Sequence, residues 1–504
     1  QGLTHLSYSE REVLAQLRLP AGADSEGYEL HPSMLDAALQ AAVGLSISQD
    51  IQKQPGTFVP YAVQAVAVYG RVPHNAWAYV QYSAGSEPAG SKLKYDIVLT
   101  DANGAICVSL KGLAVRSIVQ PVDNGLFYST PEWQVKPLAD GDKVSPIEPG
   151  SNTLLLVGLE PDVVETITAT FDSAEVIAFP QPGPDIAGYM RHLVGQSQAQ
   201  LKGLIPSKAS GPGHQVLVVA RDTVARYIYA PLAGLLKTAR LEQPHLRGKV
   251  ITVSNPEIDG LMSILSQELR SDSFQAMEIR YDASGVRTAK TLREVALPAP
   301  AKRGYLKPGG VYWIIGGLGG LGRIFARHLL EQGDHVTLIL SGRSALDEVA
   351  KQHLADLKRD GGTVAYLSAD VGQWADVERV VRTIREKYGS LNGIIHSAGV
   401  IRDSLIFNKT AVEIEAVLAP KVSGMLNIDA VTQAEPLDFV VLFSSMAGVL
   451  GNIGQADYAA ANAFLDSFAQ HRQSLVEQGQ RSGRTLSINW PLWADGGMTV
   501  DDET

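Results

Sequence analysis

Hydrophobic and polar residues alternate in two different rhythms along this chain. Through residues 1–120 the apolar segments are short and alternating, as in Trp77 to Tyr82 and Lys94 to Leu99, with one longer apolar stretch, Met34 to Leu45. A period of two sends side chains to opposite faces of a strand, so this part predicts an antiparallel sheet holding one helix. Further on, compact apolar runs lie between amphipathic stretches. They are Asn152 to Gly158, Glu175 to Phe179, His214 to Ala220 and Lys249 to Ser254, then Val311 to Ile315, Val336 to Leu340, Val364 to Leu367, Gly393 to His396 and Phe439 to Phe443. Strands apolar on both faces, separated by helices, predict parallel sheets covered on both sides. The expected class is therefore α/β, with two doubly wound parallel-sheet subdomains preceded by an α+β unit.

Proline and glycine punctuate this pattern. Pro298 to Pro308 reads as a linker between the two parallel layers, and Pro206 to Gly213 with Pro182 to Pro184 read as surface loops. A length of 504 residues, 45% hydrophobic and 19% charged, suits about three folded domains. The net charge of −10 disfavours nucleic acid as a partner and offers no basic face to anionic lipid. A single cysteine, Cys107, makes no internal disulfide and fits a cytoplasmic setting. No apolar run approaches the roughly 18–20 residues of a membrane span, no signal peptide stands at the start, and no metal site is expected. The chain opens on Gln1, as an excised piece would.

Chemistry first enters at Gly316-Gly317-Leu318-Gly319-Gly320-Leu321-Gly322, between the run Val311 to Ile315 and the amphipathic stretch Leu321 to Gln332. Strand, glycine turn and helix make a Rossmann-like phosphate site: glycines let the backbone approach a pyrophosphate, and the helix N-terminus is positive. The next strand ends in Ser341-Gly342-Arg343-Ser344, where an adenosine ribose would lie. Arg343 is a cation in the place where an acid would favour NAD, so NADPH is expected. Asp370, followed by Val371, would either meet the adenine amino group or cap the next helix.

Lys421, Ser445, Tyr458 and Asn462 follow the turn at spacings that suit a nicotinamide-dependent ketone reductase. Reducing a ketone requires hydride on carbon and a proton on oxygen. Tyr458 is the candidate acid, and its phenol needs a nearby cation to stabilise the anion it becomes. No lysine follows Lys421, and position 462 is asparagine. Taken alone, Ser445 also reads as a strand-end serine satisfied by backbone.

Leu442-Phe443-Ser444-Ser445, Gly451 through Asn462, and Asn489-Trp490-Pro491-Leu492-Trp493 carry a resemblance. Gly316 to Trp493 resembles the ketoreductase domain of a modular, trans-acyltransferase type of polyketide synthase, within the short-chain dehydrogenase/reductase superfamily. That family moves its lysine upstream, where Lys421 stands, and places asparagine where ordinary reductases keep lysine. The resemblance implies that Ser445 polarises the substrate carbonyl, Asn462 holds a backbone or water link, and Ala398 and Gly399 form a cofactor-side turn. Ile401-Arg402-Asp403 stands in the place of a Leu-Asp-Asp motif, and Leu450 where the opposite stereochemical class carries tryptophan. Together they imply a B-type enzyme giving the D-hydroxy product. Ile315 replaces a threonine whose hydroxyl ties down the turn, a loss on the order of 1 kcal/mol. His396 reads as core.

Residues 126–300, opening on Phe127 to Trp133, resemble the family's degenerate structural subdomain. Its first turn, Gly158-Leu159-Glu160-Pro161, would oppose a pyrophosphate. Residues 301–504 would be the catalytic subdomain, ending at Thr504 soon after Gly496-Gly497-Met498, before the family's lid is complete. His31 to Gln40 resembles the second hot-dog half of a dehydratase, with Asp36 and Gln40 as remnants of its site and no partner histidine. The implied partners are an acyl carrier protein bearing phosphopantetheine, neighbouring synthase domains and a polyketide thioester. A catalytically lapsed scaffold, a free-standing reductase of small ketones and a hot-dog hydrolase or dehydratase are the alternatives.

Overall fold

A computed structural model describes residues 2–9, 11–19, 28–42, 44–45, 57–83, 86, 92–118, 128–138, 152–204, 213–254, 257–271, 276–297, 306–359 and 362–493. Gln1, Val43, Phe127, most of Pro206 to Gly213, Pro298 to Tyr305 and everything from Ala494 to Thr504 lie outside them. The chain divides into two units, Gln1–Phe127 and Tyr128–Thr504.

In the first unit the alternating segments become strands β1 (Leu3–Tyr8), β2 (Glu12–Arg18), β3 (Thr57–Ala62), β4 (Ala65–Val68), β5 (Asn75–Tyr82), β6 (Lys92–Thr100) and β7 (Ile106–Ile118). Their sheet has the order β1-β2-β5-β6-β7-β3, with β4 also on β7, and every pairing is antiparallel. Val13, Ala15 and Leu17 of β2, Ala78 and Val80 of β5 and Ile97 and Leu99 of β6 meet Met34, Ala37 and Ala38 of helix α1 (Pro32–Ala41). This helix starts earlier than the apolar pattern predicts, because Pro32 suits its first turn and the His31 Nδ1 accepts the Ser33 N–H at 3.1 Å. The unit is a hot-dog, with helix α1 packed on an antiparallel sheet.

The second unit holds two sheets. The first comprises β8 (Tyr128–Val135), β9 (Asn152–Val157), β10 (Glu175–Phe179), β11 (His214–Arg221), β12 (Leu246–Val253), β13 (Glu278–Tyr281) and β14 (Arg287–Val295). Their order is β10-β9-β11-β12-β13-β14-β8, parallel through β13 and antiparallel beyond it. All six residues of β9 are buried, as expected for a strand covered on both faces. Helices α2 (Pro161–Thr170) and α5 (Ile258–Arg270) cover one face, and α3 (Ile186–Leu204) and α4 (Arg226–Glu242) the other.

The second sheet is wholly parallel: β15 (Val311–Ile315), β16 (Thr337–Gly342), β17 (Thr363–Ser368), β18 (Leu391–His396), β19 (Phe439–Ser445) and β20 (Arg484–Trp490), in the order β17-β16-β15-β18-β19-β20. Helices α6 (Gly320–Gln332) and α7 (Glu348–Arg359) pack on one face. On the other lie α8 (Trp374–Lys387), α9 (Ala411–Val431) and α11 (Ala456–Glu477), after the short α10 (Met446–Leu450). One apolar core joins α3 and α4 to α9 and α11, so the two halves share an interior. The contact is close at Gly234 of α4, where a Cβ would lie 2.8 Å from the Ala460 nitrogen of α11.

Candidate active site

The strand order of the second sheet reverses at β15 and β18, and ligands of open α/β sheets bind beyond the strand ends at such a reversal. The glycine turn leaves β15 there. Gly316 has φ +76°, and a Cβ on it would lie 2.9 Å from the Ala398 nitrogen, so both conformation and space demand glycine. A Cβ on Gly317 would press to 2.8 Å on the Leu340 side chain, and one on Gly322 to 2.8 Å on the Gly317 Cα. Gly319 is the N-cap of α6 with no side-chain cap, and Gly320 opens the helix. Leu318 and Leu321 pack sideways on the core. A bare backbone turn before an uncapped helix N-terminus fits a dinucleotide pyrophosphate.

Around this turn the structure sorts the expected residues. The Ser341 hydroxyl is buried and accepts from Trp313 Nε1 at 2.9 Å, so this residue acts through its carbonyl, which holds the Gly316 N–H at 2.7 Å, and its hydroxyl does not face a ribose. Arg343 and Ser344 are exposed at the end of β16. Asp370 does not cap α8: Gln373 is the N-cap, and the Asp370 carboxylate closes a short turn on the Gly372 N–H at 2.9 Å. Val371 is buried beside Gly424. The turn also has a tie that the sequence did not reveal. Ser397 donates its hydroxyl to the Ile315 carbonyl at 2.7 Å, so position 315 is anchored without a threonine.

Ala398 and Gly399 link the glycine turn to the lysine. Ala398 backs Gly316, and a Cβ on Gly399 would lie 3.1 Å from Lys421 Cε. Lys421 itself is 3% exposed, donates to the Phe443 carbonyl at 2.8 Å, and stands 5.8 Å from the Tyr458 ring centroid. Burial pulls its ammonium down to about 8, with Asp466 acting in the opposite sense. His396 lies below, fully buried, with Nε2 on the Pro420 carbonyl at 2.9 Å. Burial, with Lys421 adding to it, drives its pKa to about 3, so it is a neutral core group.

Tyr458 sits in the first turn of α11 and is 7% exposed. Burial raises its phenol, hydrogen bonds from Asn462 and Ser445 act to lower it, and the Asp403 carboxylate raises it slightly. Ser445 caps α10, accepting from the Ala447 N–H at 3.2 Å, so its backbone role and its contact with the phenol coexist. Asn462 lies one turn beyond Tyr458, donates to the Tyr458 carbonyl at 2.8 Å, and keeps a buried Oδ1 without a protein partner among the described residues. Asp403 is exposed and accepts from Gln455 Nε2 at 3.0 Å, three residues before Tyr458. Leu450 is 57% exposed.

One pair at this site escaped sequence reasoning. Lys409 and Asp457 form a fully buried ion pair at 2.9 Å, and Asp457 also accepts the Tyr458 N–H at 2.8 Å. Asp457 stands inside the Gly451 to Asn462 motif but Lys409 belongs to none, and separated by 48 positions the two show no local spacing. In the first unit Asp36 and Gln40 lie on the exposed side of α1 and bond to each other at 2.8 Å, while His31 is committed to the helix cap. Among the described residues no cluster of three or more metal-ligating side chains occurs, and no helix is long and apolar enough to cross a membrane.

A buried tyrosine beside a buried lysine, and a glycine turn at the switch point of a parallel sheet, fit the short-chain dehydrogenase/reductase class. Residues 310–495 match the family model described as KR domain, and residues 1–124 the one described as polyketide synthase dehydratase N-terminal domain. A crystal structure of a ketoreductase domain from the bacillaene assembly line superposes with a TM-score of 0.68 at 34% identity, covering 75% of this chain and 88% of that one. Polyketide synthases PksN and PksL of Bacillus subtilis (strain 168) are 36% and 35% identical over 98% and 100% of this chain. The chain spans only 9% and 11% of their lengths. The chain belongs to the ketoreductase family of polyketide synthases, a family of oxidoreductases, and carries dehydratase sequence ahead of its reductase.

Proposed function

We propose that this chain reduces the β-keto group of an acyl thioester to the β-hydroxyl with NADPH, and that it is a B-type enzyme making the D-hydroxy product. The observation that carries the reading is the gathering of Lys421, Ser445 and Asn462 around Tyr458, with Gly399 against Lys421 and the adjoining Ala398 against Gly316. NADPH supplies the hydride to the β-carbon. The side chains manage the oxygen: Ser445 polarises the carbonyl, and Tyr458, held protonated by its raised pKa, delivers the proton. Lys421 stabilises the phenolate left behind, and the unpartnered Asn462 Oδ1 suits a hydrogen-bonded route for reprotonation.

Gly316 to Gly322 would hold the pyrophosphate and Arg343 the extra phosphate of NADPH. Asp403, hydrogen-bonded beside Tyr458, supports the stereochemical assignment. The substrate would arrive on the phosphopantetheine arm of an acyl carrier protein, among neighbouring synthase domains in the cytoplasm. Residues 1–120 are read here as structure, since Asp36 lies on the exposed side of α1 with its carboxylate bonded to Gln40. Their motif points to the second hot-dog half, whereas the matching family model is described as the dehydratase's N-terminal domain. Both indicate a dehydratase hot-dog unit.

The test follows NADPH oxidation with a short β-ketoacyl thioester surrogate in the native chain and in Tyr458→Phe. Turnover that falls by about 10²–10⁴-fold in the variant, with NADPH still bound, is the expected result. A native chain that binds NADPH without turnover would instead be a lapsed scaffold.

A further inference from the structure

We propose that Glu242, in the structural half, is a positioning residue for the reduction, holding the two loops that border Tyr458 in one register. The inference rests on the reductase reading above. Residues 401–409 carry Asp403, and residues 451–455 lead directly into the helix of Tyr458. Glu242 is the last residue of α4, and its carboxylate reaches both loops: Oε2 accepts the Ile406 N–H at 2.7 Å and Oε1 accepts the Gly454 N–H at 2.9 Å. Each oxygen takes one backbone donor from a different loop. Only a carboxylate offers acceptors on both branches, since a glutamine amide would turn an N–H toward one of the donors.

Further contacts from the structural half repeat the theme. Gln198 of α3 donates to the Ile406 carbonyl at 3.1 Å, and Thr238 of α4 accepts the Asn452 N–H at 3.3 Å. Gly451, at φ +79°, rests so close to α4 that a Cβ would lie 2.8 Å from the Thr238 nitrogen. The loops also hold each other through the Ser404 N–H on the Gly454 carbonyl at 2.9 Å, and the Lys409–Asp457 pair ties the first loop to the start of α11. Glu242 closes this ring from outside the catalytic half. The relative placement of Asp403 and Tyr458, and with it the face of the ketone presented, depends on that closure.

The experiment compares Glu242→Ala and the size-conserving Glu242→Gln with the native full chain. It reads the ratio of hydroxyl epimers, the separate kcat and KM for a β-ketoacyl thioester surrogate, the NADPH affinity, and amide hydrogen exchange at Ile406 and Gly454. Misplacing a reacting group by a fraction of an ångström is costly, so Glu242→Ala should lower the epimer ratio or kcat/KM by about tenfold. NADPH affinity should be unchanged, exchange should rise only in the two loops, and the Gln variant should fall between. An unaltered epimer ratio and kcat/KM, unaltered loop exchange, or a rise in exchange spread evenly over the whole unit would overturn the proposal. Absence of reduction in the native chain would refute the reductase reading instead, and the loop exchange would still decide whether Glu242 clamps.

Discussion

The two parallel sheets of the second unit start alike and end differently. Each sends its first buried strand into a glycine with positive φ, +65° at Gly158 and +76° at Gly316, followed by a helix. At Gly158 the space beside the turn is filled by side chains. A Cβ there would meet Val224 and Gln181, the Gln181 amide donates to the Gly158 carbonyl, and Glu160, at the N-cap position without a side-chain cap bond, pairs with Arg221 at 3.2 Å. At Gly316 the neighbours are backbone, from Ala398 and Ser397. One architecture thus leaves the turn lined by backbone in one half and by side chains in the other, and the difference lies in a few residues around the turn.

Their buried lysines differ in the same sense. Lys249 of the first sheet is enclosed with Glu268 at 2.8 Å, and Glu268 also takes Arg287 at 2.6 Å and the Tyr281 hydroxyl at 2.8 Å. Burial works to raise the Glu268 carboxyl, but Lys249 and Arg287 outweigh it and hold it below its ordinary value. That lysine is neutralised and serves the fold. Lys421 has a carbonyl and the Tyr458 ring instead, with no carboxylate bonded to it among the described residues, and its charge stays available to a phenolate.

Replacing each lysine by methionine should separate the two roles. Lys421→Met should reduce turnover by about 10²-fold or more, as expected when a preorganised charge is removed from the transition state, with little loss of NADPH binding. Lys249→Met should leave kinetics per folded molecule unchanged but cost about 3–5 kcal/mol in chemical denaturation, because Glu268 loses a buried partner. The native pH profile offers a smaller, finer test. Lys421 carries its charge below its value of about 8 and loses it above, so kcat for reduction should decline as the pH rises through 8. A profile flat from pH 7 to about 9.5 would show that Lys421 does not set the rate.

Much of this organisation is legible in the sequence. The run Val311 to Ile315 matches β15, and the other central strands lie within a few residues of their apolar runs, because strands buried on both faces advertise themselves by composition. The edges are harder to read. β8 holds Pro131, β14 is charged, and β20 is only partly buried, so each depends on a neighbour that no local pattern reveals. Lys421, Ser445, Tyr458 and Asn462 could be singled out because the family resemblance fixes residue types at those spacings, and the fold brings the four together. Glu242, Lys409 and Asp457 make contacts between distant segments, and Ser397 reaches the Ile315 carbonyl from another strand end. Only the folded chain brings those partners together.

The most direct test of the contrast is the stoichiometry of NADPH binding, measured by calorimetric titration on the native chain and on Gly316→Val. The account predicts one site per chain, abolished by a side chain that positive φ and the Ala398 backbone both refuse, in a protein whose circular dichroism stays native. Two sites per chain, or a single site that survives Gly316→Val, would contradict it.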